Sequence, residues 1–217
     1  EGIAKSAPQA FVLVISNPVN SLVPVFAEVL KSHNVFDPKR LFGVTSLDLV
    51  RASTFVAEVT GRPQDADKFH VPVVGGHSGT TIVPLVSRTQ PAAQLDQAQI
   101  EQLTHRIQFG GDEVVKAKDG AGSATLSMAY AGAVFADGIL RAMNGEKGVK
   151  QCAFVESPLF KDQVSFFASP VELGPEGVQN IPALPQITAE EQKLLDNCLV
   201  DLAKNISKGV NWAAENP

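Results

Sequence analysis

The chain has 217 residues, 44% of them hydrophobic, which is enough for one large domain or two small ones with a full core. A formal net charge of -5, a pI near 5.4 and the lack of any basic cluster argue against a nucleic-acid or anionic-membrane partner. The two cysteines, Cys152 and Cys198, are too few for a disulfide framework and lack metal-ligand spacing, so they read as core thiols of a reducing compartment, and no apolar run approaches the ~20 residues needed to span a bilayer.

Glu1 to Pro8 reads as the last turn of a helix stopped by Pro8. With no initiator Met and no signal or transit sequence ahead of the first strand, the chain is expected to begin in mid-fold. Ala10 to Ser16 is a continuous apolar run of strand length, predicting a strand buried on both faces of a parallel sheet. Asn17 then falls just beyond the carboxyl end of that strand, where open α/β sheets bind ligands; a simple Asn-Pro turn is the plain alternative. Ser21 to Ser32 has helical spacing at Leu22, Val25, Phe26, Val29 and Leu30, with Pro24 placed in the first turn. Leu41 to Thr45 reads as a short strand, and the helix after it runs to a stop at Gly61, with Pro63 preventing its resumption.

Within that helix Asp48 and Arg51 lie three residues apart, on neighbouring turns of one face. Gln64 to His70 reads as a polar loop and Val71 to Val74 as a short strand, after which Gly75-Gly76 bend the chain and bring His77 to a surface. Histidine titrates near neutrality and can take and return a proton there. A carboxylate on one ring nitrogen fixes the tautomer and stabilises the imidazolium, the part assigned to Asp48. Arg51 offers a planar fork of donors that matches a carboxylate. Taken singly, such a histidine is an ordinary loop or core residue and such an Asp-x-x-Arg step a solvated salt bridge. Taken with Asn17, the three read as an acid/base pair beside an anion clamp.

Downstream, Thr81 to Val86 reads as a strand that Pro84 confines to an edge or end, Pro91 to Gln97 as a loop, and the stretch from about Gln99 past Val115 as a helix. Gly120-Ala121-Gly122 imitates a dinucleotide fingerprint, with Asp137 downstream, but the third glycine and the leading strand are missing. The better reading is a glycine turn opening a helix from Ser123 to Met143 whose small residues allow close backbone approach, with Met128 as core filler. Lys150 to Val155 and Ser165 to Leu173 read as antiparallel strands, and Gly177 to Ile181 as a third. Thr188 and Glu191 stand at capping-box spacing before a final amphipathic helix, expected to be a lid on a sheet without chemistry. His33, His70 and His105 lack the surroundings of His77 and read as structural or exposed.

Four ordered motifs, Ser16-Asn17-Pro18-Val19-Asn20, Leu47-Asp48-Leu49-Val50-Arg51, Gly75-Gly76-His77-Ser78-Gly79 and the stretch Gly120 to Ala131, resemble the lactate/malate dehydrogenase family, the last of them its mitochondrial-type malate branch. The resemblance implies an α/β fold with an α+β substrate domain. Residues 1–18 would be the tail end of a Rossmann-type NAD-binding domain, and residues 19–217 the C-terminal substrate-binding and catalytic domain, with a mixed or antiparallel sheet and packed helices. It implies NAD-dependent interconversion of malate and oxaloacetate, a citric acid cycle step, with no metal. His77 and Asp48 would relay the proton, Arg51 and Asn17 would hold substrate, and Ile15, Ser16, Asn17 and Met128 would meet the cofactor. A homodimer is expected, in the mitochondrial matrix, with peroxisome or cytoplasm as alternatives.

The family places a glycine-rich phosphate loop, a ribose-binding acid and an arginine-bearing lid ahead of the first of these motifs. This sequence lacks them, so the chain alone is expected not to turn over malate, and preference for malate over lactate is not readable from its own residues. A dicarboxylate-binding or dimerising structural fragment, and a lactate dehydrogenase-like 2-hydroxy acid dehydrogenase, remain the alternatives.

Overall fold

The computed structural model describes Glu1–Asn216. Its strands are β1 (Val12–Val14), β2 (Leu41–Val44), β3 (Val73–Gly75), β4 (Ile82–Pro84), β5 (Val149–Glu156), β6 (Phe166–Gly174) and β7 (Gly177–Asn180). They form one sheet ordered β1-β2-β5-β6-β3-β4, with β7 also paired to β6. Only β1 and β2 run parallel, and every other pairing is antiparallel. The fold is therefore the mixed α/β arrangement expected. The long β5–β6 ladder, Val149 opposite Leu173 through Glu156 opposite Phe166, is its spine.

The helices are α1 (Gly2–Ser6), α2 (Val19–Ser32), α3 (Ser46–Val59), α4 (Gln97–Ala117), α5 (Thr125–Met143) and α6 (Ala189–Glu215). One apolar cluster joins α2 and α6 to the sheet through Val19, Val23, Phe154, Phe167, Leu195 and Leu202. A second places Phe135 and Ile139 of α5 on Phe42, Val155 and Leu173. The third packs Val56 of α3 and Leu103 and Ile107 of α4 with Val73 and Ile82. Burial of these side chains on both faces sandwiches the sheet between helices.

Several local expectations are corrected. β1 is three residues long and lies at an end of the sheet, with Val12 and Val14 buried and Leu13 only half-buried. Pro24 is the sixth residue of α2, not part of its first turn, because the helix begins at Val19 directly after Pro18. Gln64 to His70 is not a plain loop: Pro63–Lys68 forms a kinked 3₁₀ helix in which Asp65 accepts from Arg62 at 2.9 Å and Lys68 at 2.7 Å. The α4 helix starts earlier than Gln99 because Asp96 caps it, accepting from the Gln99 backbone N–H at 2.8 Å while the Gln99 side chain bonds back. The small residues of α5 admit side chains, not backbone: Gly132 leaves room for Ile15, and Gly138 for Gln151.

The last helix does begin at a capping box, Thr188 with Glu191, and it is more than a lid. A methyl group on Gly209 would sit 2.1 Å from the Ser21 carbonyl oxygen, so α6 lies almost against the backbone of α2. Ser21 Oγ bridges the same contact by donating to the Asn205 carbonyl at 2.9 Å. Both cysteines are buried and unpaired, and burial pushes each thiol up to about 12, which fits core thiols. No helix among the described residues is long and apolar enough to cross a membrane.

Candidate active site

Three turns converge on one cavity. β1 ends in Asn17-Pro18 just before α2, β2 leads into α3, and β3 leads into the glycine turn that carries His77. Gly75 makes that turn possible. Its φ of 99 is a region side-chain-bearing residues avoid, and a methyl group there would lie 2.3 Å from the Thr81 carbonyl oxygen.

Asp48 sits in the first turn of α3 and is fully buried. Its Oδ2 lies 2.5 Å from His77 Nδ1, so a buried carboxylate holds one ring nitrogen and leaves Nε2 for chemistry. The imidazole is not brought to the surface as expected; its side chain is only 7% exposed and forms part of the floor of a cavity. Burial pushes its pKa down, while the charge and hydrogen bond of Asp48 push it up and prevail against both burial and the nearby Arg51, leaving it above the usual 6.5. Asp48 thereby favours the protonated ring beyond what a free imidazole would show.

Arg51, one helical turn on, points into the same cavity with its side chain 15% exposed. Its Nη1 is 3.7 Å from Asp48 Oδ1, and that oxygen is buried without a hydrogen-bond partner. A guanidinium that spends no side-chain hydrogen bond on the described residues keeps its donor fork for an incoming anion. Gly110 and Gly111 of α4 lie beside it, and a methyl group on Gly111 would stand in ordinary contact with Nη1, at 3.5 Å.

The cavity measures about 290 Å³, and Asn17, Asp48, Arg51, His77, Asp112 and Met128 all line it. The exposed Asn17 faces it from the end of β1, and the half-buried Met128 from the start of α5. Ile15 and Ser16 stand outside the lining, exposed beside it, with Ile15 packed on Gly132. A larger cavity of about 490 Å³ lies between α4 and α6, lined by Val86, Leu95, Ile100, His105, Glu191 and Leu194 among others. Glu191, its buried acid, accepts from the backbone N–H and hydroxyl of Ser87 and the backbone N–H of Thr188, bonds that tie it to the start of α6. The smaller cavity is the chemical one.

With that geometry in place, comparison with known proteins is informative. Residues 45–213 match the model of the lactate/malate dehydrogenase alpha/beta C-terminal domain. The chain belongs to the lactate/malate dehydrogenase family. It is 55% identical over 97% of its length to the mitochondrial malate dehydrogenase of Saccharomyces cerevisiae, covering 63% of that protein. It is 54% identical to the glyoxysomal malate dehydrogenase of Citrullus lanatus, over 98% of this chain and 58% of the relative. The chain thus spans roughly six-tenths of the length of these curated relatives. Among solved structures, the apo malate dehydrogenase of Picrophilus torridus shares the fold with a TM-score of 0.81 at 23% identity, over 100% of this chain and 67% of that one.

Sequence reasoning missed the scaffold under His77. Asn20 is 1% exposed and its Oδ1 accepts the His77 backbone N–H at 2.8 Å. Its Nδ2 donates to Thr81 Oγ1 at 3.0 Å and to Asn205 Oδ1 at 3.1 Å. No local pattern marks this network, because its partners come from the glycine turn and from α6, far along the chain from Asn20.

Proposed function

We propose that this chain carries the substrate-binding and proton-transfer part of an NAD-dependent L-malate dehydrogenase, the citric acid cycle enzyme that interconverts malate and oxaloacetate. The observation that carries the reading is a single cavity shared by a buried His77–Asp48 pair and the guanidinium of Arg51, which stands a long 3.7 Å from Asp48. In the oxidising direction His77 Nε2 takes the proton of the substrate hydroxyl, and in the reducing direction it returns it. Asp48 stabilises the imidazolium in between. Arg51 holds the carboxylate next to the reacting carbon with paired hydrogen bonds, and the Asn17 amide donates to the oxygen that changes between hydroxyl and carbonyl.

When bound, NAD accepts the hydride from the carbon that bears the hydroxyl. The residues present suit the nicotinamide end: Ile15 exposes apolar surface at the end of β1, next to Ser16 and Asn17, and Met128 gives the cavity an apolar wall. We assign residues 1–18 to the cofactor domain and residues 19–217 to the substrate domain. The names of the relatives support malate over lactate and a mitochondrial matrix site, with the glyoxysomal relatives as the counterexample. Val50 and Val59, exposed on α3, support a homodimer seated on that helix.

Fusing this chain behind the remaining part of the yeast relative tests the reading. The fusion is expected to oxidise NADH with oxaloacetate much faster than with pyruvate, and the 217-residue chain alone to show no turnover. A folded fusion that binds NADH but keeps its rate after His77→Gln would refute it.

A further inference from the structure

We infer that Asn20 is a positioning residue for His77: one buried amide grips the histidine backbone and, through Thr81 and Asn205, fastens the glycine turn to α6. The inference rests on the proton-relay reading above and adds to it the part that sets the ring's register.

The arrangement leaves the turn little freedom. Asn20 Oδ1 accepts the His77 N–H at 2.8 Å, while Nδ2 donates to Thr81 Oγ1 at 3.0 Å and Asn205 Oδ1 at 3.1 Å, so both ends of the amide are used. Thr81 closes the same turn by donating to the Ser78 carbonyl at 2.7 Å and accepting the Ser78 N–H at 3.1 Å. Gly76 lies flush on this network, since a methyl group there would fall 2.7 Å from Asn20 Oδ1. From below, Cys198 Sγ donates to the Thr81 carbonyl at 3.2 Å, and Thr80 Oγ1 donates to Asp201 at 3.0 Å. Asn20 occupies the second position of α2, which begins right after Asn17-Pro18. One short segment therefore sends Asn17 into the cavity and, three residues later, fixes the backbone of the histidine on its floor. A 2.5 Å contact between His77 and Asp48 tolerates little displacement, and a side chain that locks the histidine backbone is what maintains it.

The test follows the His77 ring by NMR against pH in the 217-residue chain, where Asp48 and Arg51 of α3 and Asp112 of α4 are the charged groups lining its cavity. Asn20→Ser keeps a small polar group too short to reach His77. If Asn20 sets the register, contact with Asp48 loosens and the His77 midpoint falls by about one pH unit, the lower end of what losing a neighbouring opposite charge produces. Asn205→Ala, at a half-buried site that releases only the far end of the amide, should give a smaller fall in the same direction. A folded Asn20→Ser with a lower melting temperature but an unmoved His77 midpoint would make Asn20 merely structural and overturn the inference. Should Asn20→Ser not fold, Asn205→Ala decides, and an unmoved midpoint there overturns it equally. Failure of the relay reading looks different: Asp48→Asn would then leave the His77 midpoint where the unaltered chain has it.

Discussion

His77 Nδ1 and Asp48 Oδ2 meet at 2.5 Å although 29 positions separate them along the chain. The acid comes from the buried first turn of α3 and the base from the turn after β3, so their encounter depends on the tertiary fold bringing both elements to one cavity. The two side chains then act as one unit, with the charge of Asp48 opposing the burial that would otherwise keep the ring neutral.

Replacing Asp48 with Asn keeps the shape and removes the charge. The His77 midpoint should fall, because burial and Arg51 then act almost unopposed. In the fusion enzyme turnover should drop by about a hundredfold or more, the range spanned by general acid-base contributions. NMR titration and steady-state kinetics on the same variant check both, and a normal midpoint with normal turnover would show the pair to be incidental.

The raised His77 value also sets a pH dependence of stability. A group whose folded pKa lies above its unfolded value, here above 6.5, stabilises the fold fully below 6.5 and loses that contribution as pH rises through the folded value. The melting-temperature gap between the unaltered chain and His77→Gln should therefore be widest in mildly acidic buffer and shrink in alkaline buffer. A gap that grows with pH would reverse the sign and contradict the electrostatic account.

Arg51→Lys keeps the charge but replaces the planar fork with a point charge. The loss of a paired, charge-assisted hydrogen bond, about 1.5–3 kcal/mol, should raise KM for oxaloacetate in the fusion roughly tenfold to a hundredfold. Stability should change little, since the guanidinium's ion pair with Asp48 is a long 3.7 Å. Heat-scanning beside the kinetics separates the two, and an unchanged KM would mean that the cavity takes no carboxylate at this point.

Local patterns made much of this architecture legible before any coordinates. Apolar runs marked β1 and β2, Gly61 with its φ of 71 marked the end of α3, and Thr188 with Glu191 marked the start of α6. Asp48, Arg51 and His77 were legible because their chemistry is distinctive and their spacing matched a family. The scaffold was not. Asn20 reads as an unremarkable polar residue at a helix start, and its partners His77, Thr81 and Asn205 lie 57, 61 and 185 positions away. Periodicity encodes which face of an element is buried, whereas a buried amide's choice of partners depends on the tertiary arrangement.

The seat of α6 on α2 also bears on the His77 turn, because the Asn20–Asn205 bond crosses that contact. Gly209→Ala would place a methyl group 2.1 Å from the Ser21 carbonyl oxygen, a backbone atom that cannot swing away. The helices must then part, stretching the Ser21–Asn205 bond as well, and overpacking of this kind costs about 1–3 kcal/mol. Gly2→Ala is the control, since a methyl group there meets nothing within 4 Å. Chemical denaturation should lower the unfolding midpoint of the first variant and leave the second unchanged. Equal midpoints would mean that the two helices are less closely seated than the Ser21–Gly209 contact requires, and the support they lend to the His77 turn would be weakened with it.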